Sequence, residues 1–223
     1  MTGANISALC LDAVDVGRAG GFWSAVLGAP LEVRDDGVAS ISSAALPELW
    51  INPVRERKVV KNRVHLDVRA PGIDALLALG AVQIDDQGTF VVLADPEGNE
   101  LCVFPGHAPR VGLAVPFALC VDSDRPEHLA AWWQRLLGGE VGPGPDGAPR
   151  WLHGAAGLGE MTMTFLRVFD DRQVKNRMHW DVETVDVDLL VAHGAVVRRT
   201  PDEDIRWTIL SDVDGNVFCA FDR

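Results

Sequence analysis

His65 and His179 stand in the same short phrase: "VKNRVHLDV" spans 60–68 and "VKNRMHWDV" spans 174–182. In each, an Arg lies two residues before the His and an Asp two residues after it. Side chains on a strand alternate between its faces. Arg63, His65 and Asp67 therefore share one face, as do Arg177, His179 and Asp181. His titrates near neutrality, and a carboxylate beside it can orient its ring. His65 with Asp67, and His179 with Asp181, are the candidate catalytic pairs. The bland alternative is a buried network in which Arg, His and Asp satisfy one another.

Other residues extend this face. Alternation puts Ala8, Cys10 and Asp12 on one face of their strand, and Glu100, Cys102 and Phe104 on one face of theirs. If those strands meet the one carrying His65, then Cys10, His65, Asp67 and Cys102 converge. A cysteine there is a nucleophile only if its thiolate is stabilised. Cys and His also suit zinc, so Cys10, His65, Glu100 and Cys102 form an alternative metal set. Against both stands the usual role of a buried cysteine as a small hydrophobe. Among seven tryptophans, Trp23, Trp132 and Trp133 read as core, and Trp180 faces away from His179. Trp50 and Trp207 lie on strands and suit the wall of a pocket for a flat organic ligand. Arg63, Trp50, Cys102, Arg177, Cys219 and Trp207 are thus the candidate ligand-binding residues. No Walker loop, dinucleotide fingerprint or nucleophile elbow is present.

The elements that position these residues come from a repeat. "ALCLD" (8–12) returns as "ALCVD" (118–122), "FWSAVLG" (22–28) as "WWQRLLG" (132–138), and "DPEGNELCVF" (95–104) as "DVDGNVFCAF" (212–221). Cys10 pairs with Cys120, Cys102 with Cys219 and His65 with His179. The Pro- and Gly-rich stretch 105–116 separates the copies. This predicts domains over 1–107 and 116–223 joined by a linker at 108–115. Each copy reads strand, helix and three strands, twice over. A helix over 15–28 stops at Gly28; its counterpart is capped by Ser123 or Asp124, starts at Pro126 and stops at Gly138. "IDALLALG" reads as a helix with Ile73, Leu76 and Leu77 on one face and Gly80 as its stop. "DPEGN" reads as a hairpin turn.

Composition narrows the function class. The chain has 223 residues, 48 % hydrophobic, with a net charge of -12. That charge argues against nucleic acid and anionic membranes as partners, because both require a basic face. No apolar run approaches the ~20 residues that span a bilayer, and the start has no basic leader. A cytoplasmic protein with reduced cysteines is expected.

Four βαβββ units in two pairs resemble the vicinal oxygen chelate superfamily of glyoxalases, bleomycin-resistance proteins and extradiol dioxygenases, and within it the glyoxalase-like domain subgroup. The carriers are the three repeated phrases above together with "RVHLDV" and "RMHWDV", in order and twice over, across nearly the whole chain. The resemblance implies an α+β fold of four βαβββ units forming two tandem cup-shaped domains. It also implies a divalent metal held by His, His and Glu. Only His65 and His179 match that set. The first position falls on Ala8 and Ala118, and the last on Cys102 and Cys219. The expectation is therefore a protein that binds a small organic molecule in one or both cups, with no cofactor; zinc or another divalent ion is the alternative. A lyase or isomerase using His65 and Asp67, or His179 and Asp181, is the second reading. A non-catalytic pseudoenzyme that binds a protein partner is the third. The expected assembly is a monomer or homodimer.

Overall fold

The computed structural model describes residues 3–169 and 174–223. The first copy runs β1 (Ala4–Ala13), α1 (Val16–Leu27), β2 (Leu31–Val33), β3 (Ala39–Ile41) and β4 (Glu48–Pro53). It continues through β5 (Val64–Ala70), α2 (Asp74–Ala78), β6 (Val82–Asp86), β7 (Val91–Ala94) and β8 (Glu100–Pro105). The second copy repeats the order as β9 (Val115–Ser123), α3 (Pro126–Leu137), β10 (Glu140–Pro143), β11 (Pro149–His153) and β12 (Thr162–Arg167). Then come β13 (Met178–Thr184), α4 (Val187–Ala192), β14 (Val196–Arg199), β15 (Thr208–Ser211) and β16 (Val217–Asp222). The four βαβββ units are all present.

Local chemistry explains most boundaries. Asp15 caps α1 by accepting the Arg18 amide at 2.9 Å, and Gly28 ends it at φ 63. In α3 the expected cap moves: Arg125 holds the N-cap position without a side-chain bond. Ser123 accepts the Arg125 amide instead and donates to Asp214. In α2 Leu76 is buried but Leu77 is exposed, because a helix of five residues turns only one of them fully inward.

The units pair across the repeats. One sheet has the order β14-β15-β16-β13-β1-β4-β3-β2, the other β10-β11-β12-β9-β5-β8-β7-β6. The first unit thus shares a sheet with the fourth, and the second with the third. The linker supplies a reason. It is docked rather than loose: the amides of Leu113 and Ala114 both donate to the Val26 carbonyl, at 2.9 and 3.1 Å. A Cβ on Gly112, at φ +77, would lie 2.4 Å from that same oxygen. The short path from β8 then delivers β9 to the free side of β5. A second crossing ties the halves together. The Ile6 amide donates to the Ala156 carbonyl at 2.9 Å. A Cβ on Gly157, at φ +91, would meet the Ile6 oxygen at 1.9 Å, so only glycine fits this approach.

One continuous core lies between the sheets and includes α1 and α3. Trp23 of α1 donates from Nε1 to Asp95 at 3.1 Å, and Trp133 of α3 to Asp212 at 3.2 Å. Each of these aspartates sits in the hairpin turn of the other unit of its own copy. The Asp95 carboxylate also takes the amides of Glu97 and Asn99. Asp212 takes those of Asp214 and Asn216. Asn62 then donates to Asn99, and Asn176 to Asn216, both at 3.1 Å. The Asn of the repeated phrase is therefore a structural latch. It couples the strand carrying the His to the hairpin turn and, through it, to the core tryptophan. Among the described residues no helix is long and apolar enough to cross a membrane.

Candidate functional site

The ladder register assembles two matching floors on the sheet faces turned away from the helices. Residues directly opposite across paired strands share a face. In the first sheet Ser40, Trp50, Cys10 and His179 form one row. Ala8, Asp181, Cys219 and Ile209 form the next. In the second sheet the rows are Trp151, Thr164, Cys120 and His65, then Ala118, Asp67, Cys102 and Val92. Each floor joins a His and an Asp from one copy to a cysteine of the other copy.

This changes the expected grouping. Cys10 does not meet His65; it faces His179 across the ladder, and Cys120 faces His65. The set Cys10, His65, Glu100 and Cys102 is split between sheets. Glu100 is also engaged elsewhere: it pairs with Lys58 at 2.6 Å and accepts the Asn62 amide at 3.0 Å. Ala8 and Ala118, the expected first ligand positions, sit beside Asp181 and Asp67 rather than opposite a His. Cys120 was legible as the repeat mate of Cys10, but only the cross-repeat pairing gives it a place beside His65. Arg63 and Arg177 leave the floors. Arg63 donates to the Asp122 carbonyl at 3.2 Å and Arg177 to the Glu56 carbonyl.

Distances within the floors are short. His65 Nε2 lies 3.5 Å from Asp67 Oδ1 and 3.5 Å from Cys102 Sγ. His179 Nε2 lies 3.8 Å from Cys219 Sγ. Thr164 donates to Cys120 Sγ at 3.1 Å. Both histidines are buried. Aromatic rings flank each floor: Phe104 stacks on Phe90 at 4.8 Å and meets Phe117 edge-on at 5.3 Å, and Trp207 lies 5.5 Å from Phe221. Trp50 is half-buried, with the Arg34 guanidinium 5.7 Å above its ring. The core assignments of Trp23, Trp132 and Trp133 agree with their burial, and Trp180, turned away from His179, is buried as well.

Burial sets the charge states. It pulls His179 down to about 3, with Lys175 adding to the effect, so its imidazole is neutral across the ordinary pH range. Burial pushes Asp181 up to about 6, opposed by the thiols of Cys10 and Cys219. Burial, reinforced by Asp181, raises Cys219 to about 12 and Cys10 well above its usual value. Burial and the nearby Asp67 do the same to Cys102 and Cys120. All four thiols are therefore protonated and shielded, the opposite of an activated nucleophile. Ellman's reagent at pH 8 is expected to leave the native protein unlabelled and to react with all four cysteines after denaturation. A thiol that reacts at once in the native protein would contradict these charge states.

Three ligand atoms lie within 4.8 Å of one another in each floor, from Cys10, His179 and Asp181 and from His65, Asp67 and Cys102. Each set joins a soft thiol to one imidazole and one carboxylate, a poorer match than His, His and Glu for a hard divalent ion. A metal-binding imidazole also needs an acceptor for its second nitrogen. The Nδ1 atoms of His65 and His179 are buried and have no hydrogen-bond partner among the described residues.

With this geometry in view, the comparisons give the class. The family model described as a glyoxalase-like domain matches residues 8–104 and 118–221, so the chain belongs to the glyoxalase-like domain family. Among solved structures it is similar to glyoxalase I from Zea mays, with a TM-score of 0.66, 13% identity, and coverage of 98% of this chain and 92% of that one. It is similar to a protein from Bacillus subtilis subsp. subtilis str. 168, with a TM-score of 0.64, 16% identity, and coverage of 98% and 84%. The cppA protein from Streptococcus pneumoniae TIGR4 gives a TM-score of 0.54, 11% identity, and coverage of 98% and 100%. At such identities the likeness is one of fold. No curated protein matches the chain.

Proposed function

We propose that this protein binds a small organic molecule over one or both floors, without the hard divalent metal usual in the superfamily. The observation that carries this reading is the pair of buried floors whose polar atoms are left over. Trp151 Nε1, Trp207 Nε1 and both His Nδ1 atoms are buried without hydrogen-bond partners among the described residues. Buried polar groups of a folded protein are nearly always paired. Leftover donors and acceptors beside aromatic walls are what a ligand with a few polar groups would satisfy.

Proton transfer, as in a lyase or isomerase, is the second reading, favoured by one observation. Asp181 is held at about 6, near neutrality, whereas His179 is held at about 3. Asp181, not His179, is then the group that takes and returns a proton, while neutral His179 orients the substrate.

A protein-observed NMR screen of small aromatic acids and carbonyl compounds tests the binding reading. Hits are expected to move the indole N–H signals of Trp50, Trp151 or Trp207 and the imidazole signals of His65 or His179. Hits confined to surface residues, or co-purification with another protein chain and no hits, would contradict it. Turnover lost in Asp181→Asn with affinity retained would mark the enzyme.

A further inference from the structure

A cavity of about 960 Å³ opens at the seam between the two copies, outside both floors. Its lining comes largely as repeat mates: Asp12 with Asp122, Lys61 with Lys175, Arg63 with Arg177. The basic side chains are Arg57, Lys58, Lys61, Arg63, Lys175 and Arg177, and the acidic ones are Asp12, Glu56 and Asp122. A chain with a net charge of -12 has thus gathered positive charge in one concave place.

Two of the three acids are already committed, and the third, Glu56, is exposed. Lys175 pairs with Asp12 at 2.9 Å and Lys61 with Asp122 at 2.5 Å, each bridge crossing between the copies. Lys58 is held by Glu100. Arg177 is different. It has no carboxylate within ion-pair distance among the described residues, and it donates from Nη1 only to the Glu56 carbonyl. Its Nε and Nη2 atoms are buried and make no hydrogen bond among the described residues. A guanidinium stays charged at every working pH and offers a flat fork that matches carboxylate or phosphate. The volume is that of a small-molecule site.

We propose that this cavity binds a small organic polyanion, with Arg177 as its main anchor and Arg57 and Arg63 as further contacts for its carboxylate or phosphate groups. The site is independent of the floors, although Asp12 and Asp122 bring it next to them. Each lies two residues beyond a floor cysteine on the same strand.

Calorimetric titration of the whole chain with citrate and with inorganic pyrophosphate, at low ionic strength, tests this. At least one is expected to bind saturably, to weaken as sodium chloride is added, and to lose about tenfold or more in affinity in Arg177→Gln. The arm that binds tells carboxylate from phosphate chemistry. Arg57→Gln, at an exposed position, is expected to weaken binding too, and decides the matter alone if Arg177→Gln fails to fold. No binding of either probe at millimolar concentration, or equal binding by parent and folded variants, would overturn the proposal. Failure of the screen at the floors would leave it standing.

Discussion

Replacing Trp133 by Ala is expected to cost about 3–5 kcal/mol and to lower Tm by on the order of 10 °C. Trp133 belongs to α3, is fully buried, and meets Trp132, Trp180 and Phe218 at centroid distances of 4.8, 5.3 and 5.2 Å. Trp180 and Phe218 lie on β13 and β16 of the other sheet, so the ring is a hub between the two layers. Its N–H also supplies one of the bonds that hold the buried Asp212, which burial pushes up to about 6 despite bonds from Asn216 and Trp133. Trp133→Phe removes the donor together with about a third of the ring, so a smaller loss of about 2 kcal/mol is expected. Thermal melts of the two variants should rank them in that order. A drop for Trp133→Ala of only about 2 °C would mean that the sheets are not coupled through this residue.

Asp181→Asn is expected to stabilise the protein at pH 8 by up to about 3 kcal/mol. The folded state holds this carboxyl at about 6, against the ordinary 3.8, because burial disfavours its charge. A raised acid binds its proton more tightly folded than unfolded, so stability falls as pH climbs from about 4 through 6. Above that window the parent carries a buried charge that the amide lacks. At pH 4 both are neutral, and the advantage should vanish. His179 works in the opposite sense: its folded value of about 3 means stability is lost as pH falls below 6.5. Urea melts of parent and variant at pH 8 and pH 4 read the difference. Equal stability at pH 8 would show that Asp181 is solvated, and would remove the case for its proton-transfer role. A group kept at the expense of stability is what a working site looks like.

Much of the architecture was legible because it is written twice. The alternation around His65 and His179 and the glycine stop at Gly28 rest on local periodicity and turn chemistry, and the four units follow from them. Local signals carry no information about which unit shares a sheet with which. Cys10 therefore looked as though it belonged with His65, whereas β1 runs beside β13 and gives it to His179. The contacts of Arg63 and Arg177 were invisible for a related reason. Alternation placed them on the His face, but they sit at the strand entrance, where the chain turns them into the seam between copies. The latch from Asn62 through Asn99 and Asp95 to Trp23 spans three separated phrases. Each phrase was visible as a repeat, yet only their contact shows that the resemblance to the family is carried largely by residues that hold the fold.

The most direct measurement is the metal content of untagged protein purified without chelator or added metal, alongside the His65→Ala and His179→Ala variants. Parent protein free of stoichiometric metal is the expected result, with the floors open to an organic ligand alone. Stoichiometric zinc, nickel or manganese in the parent, lost in the variants, would contradict metal-independent binding. It would make Cys10, His179 and Asp181, with His65, Asp67 and Cys102, two soft metal sites.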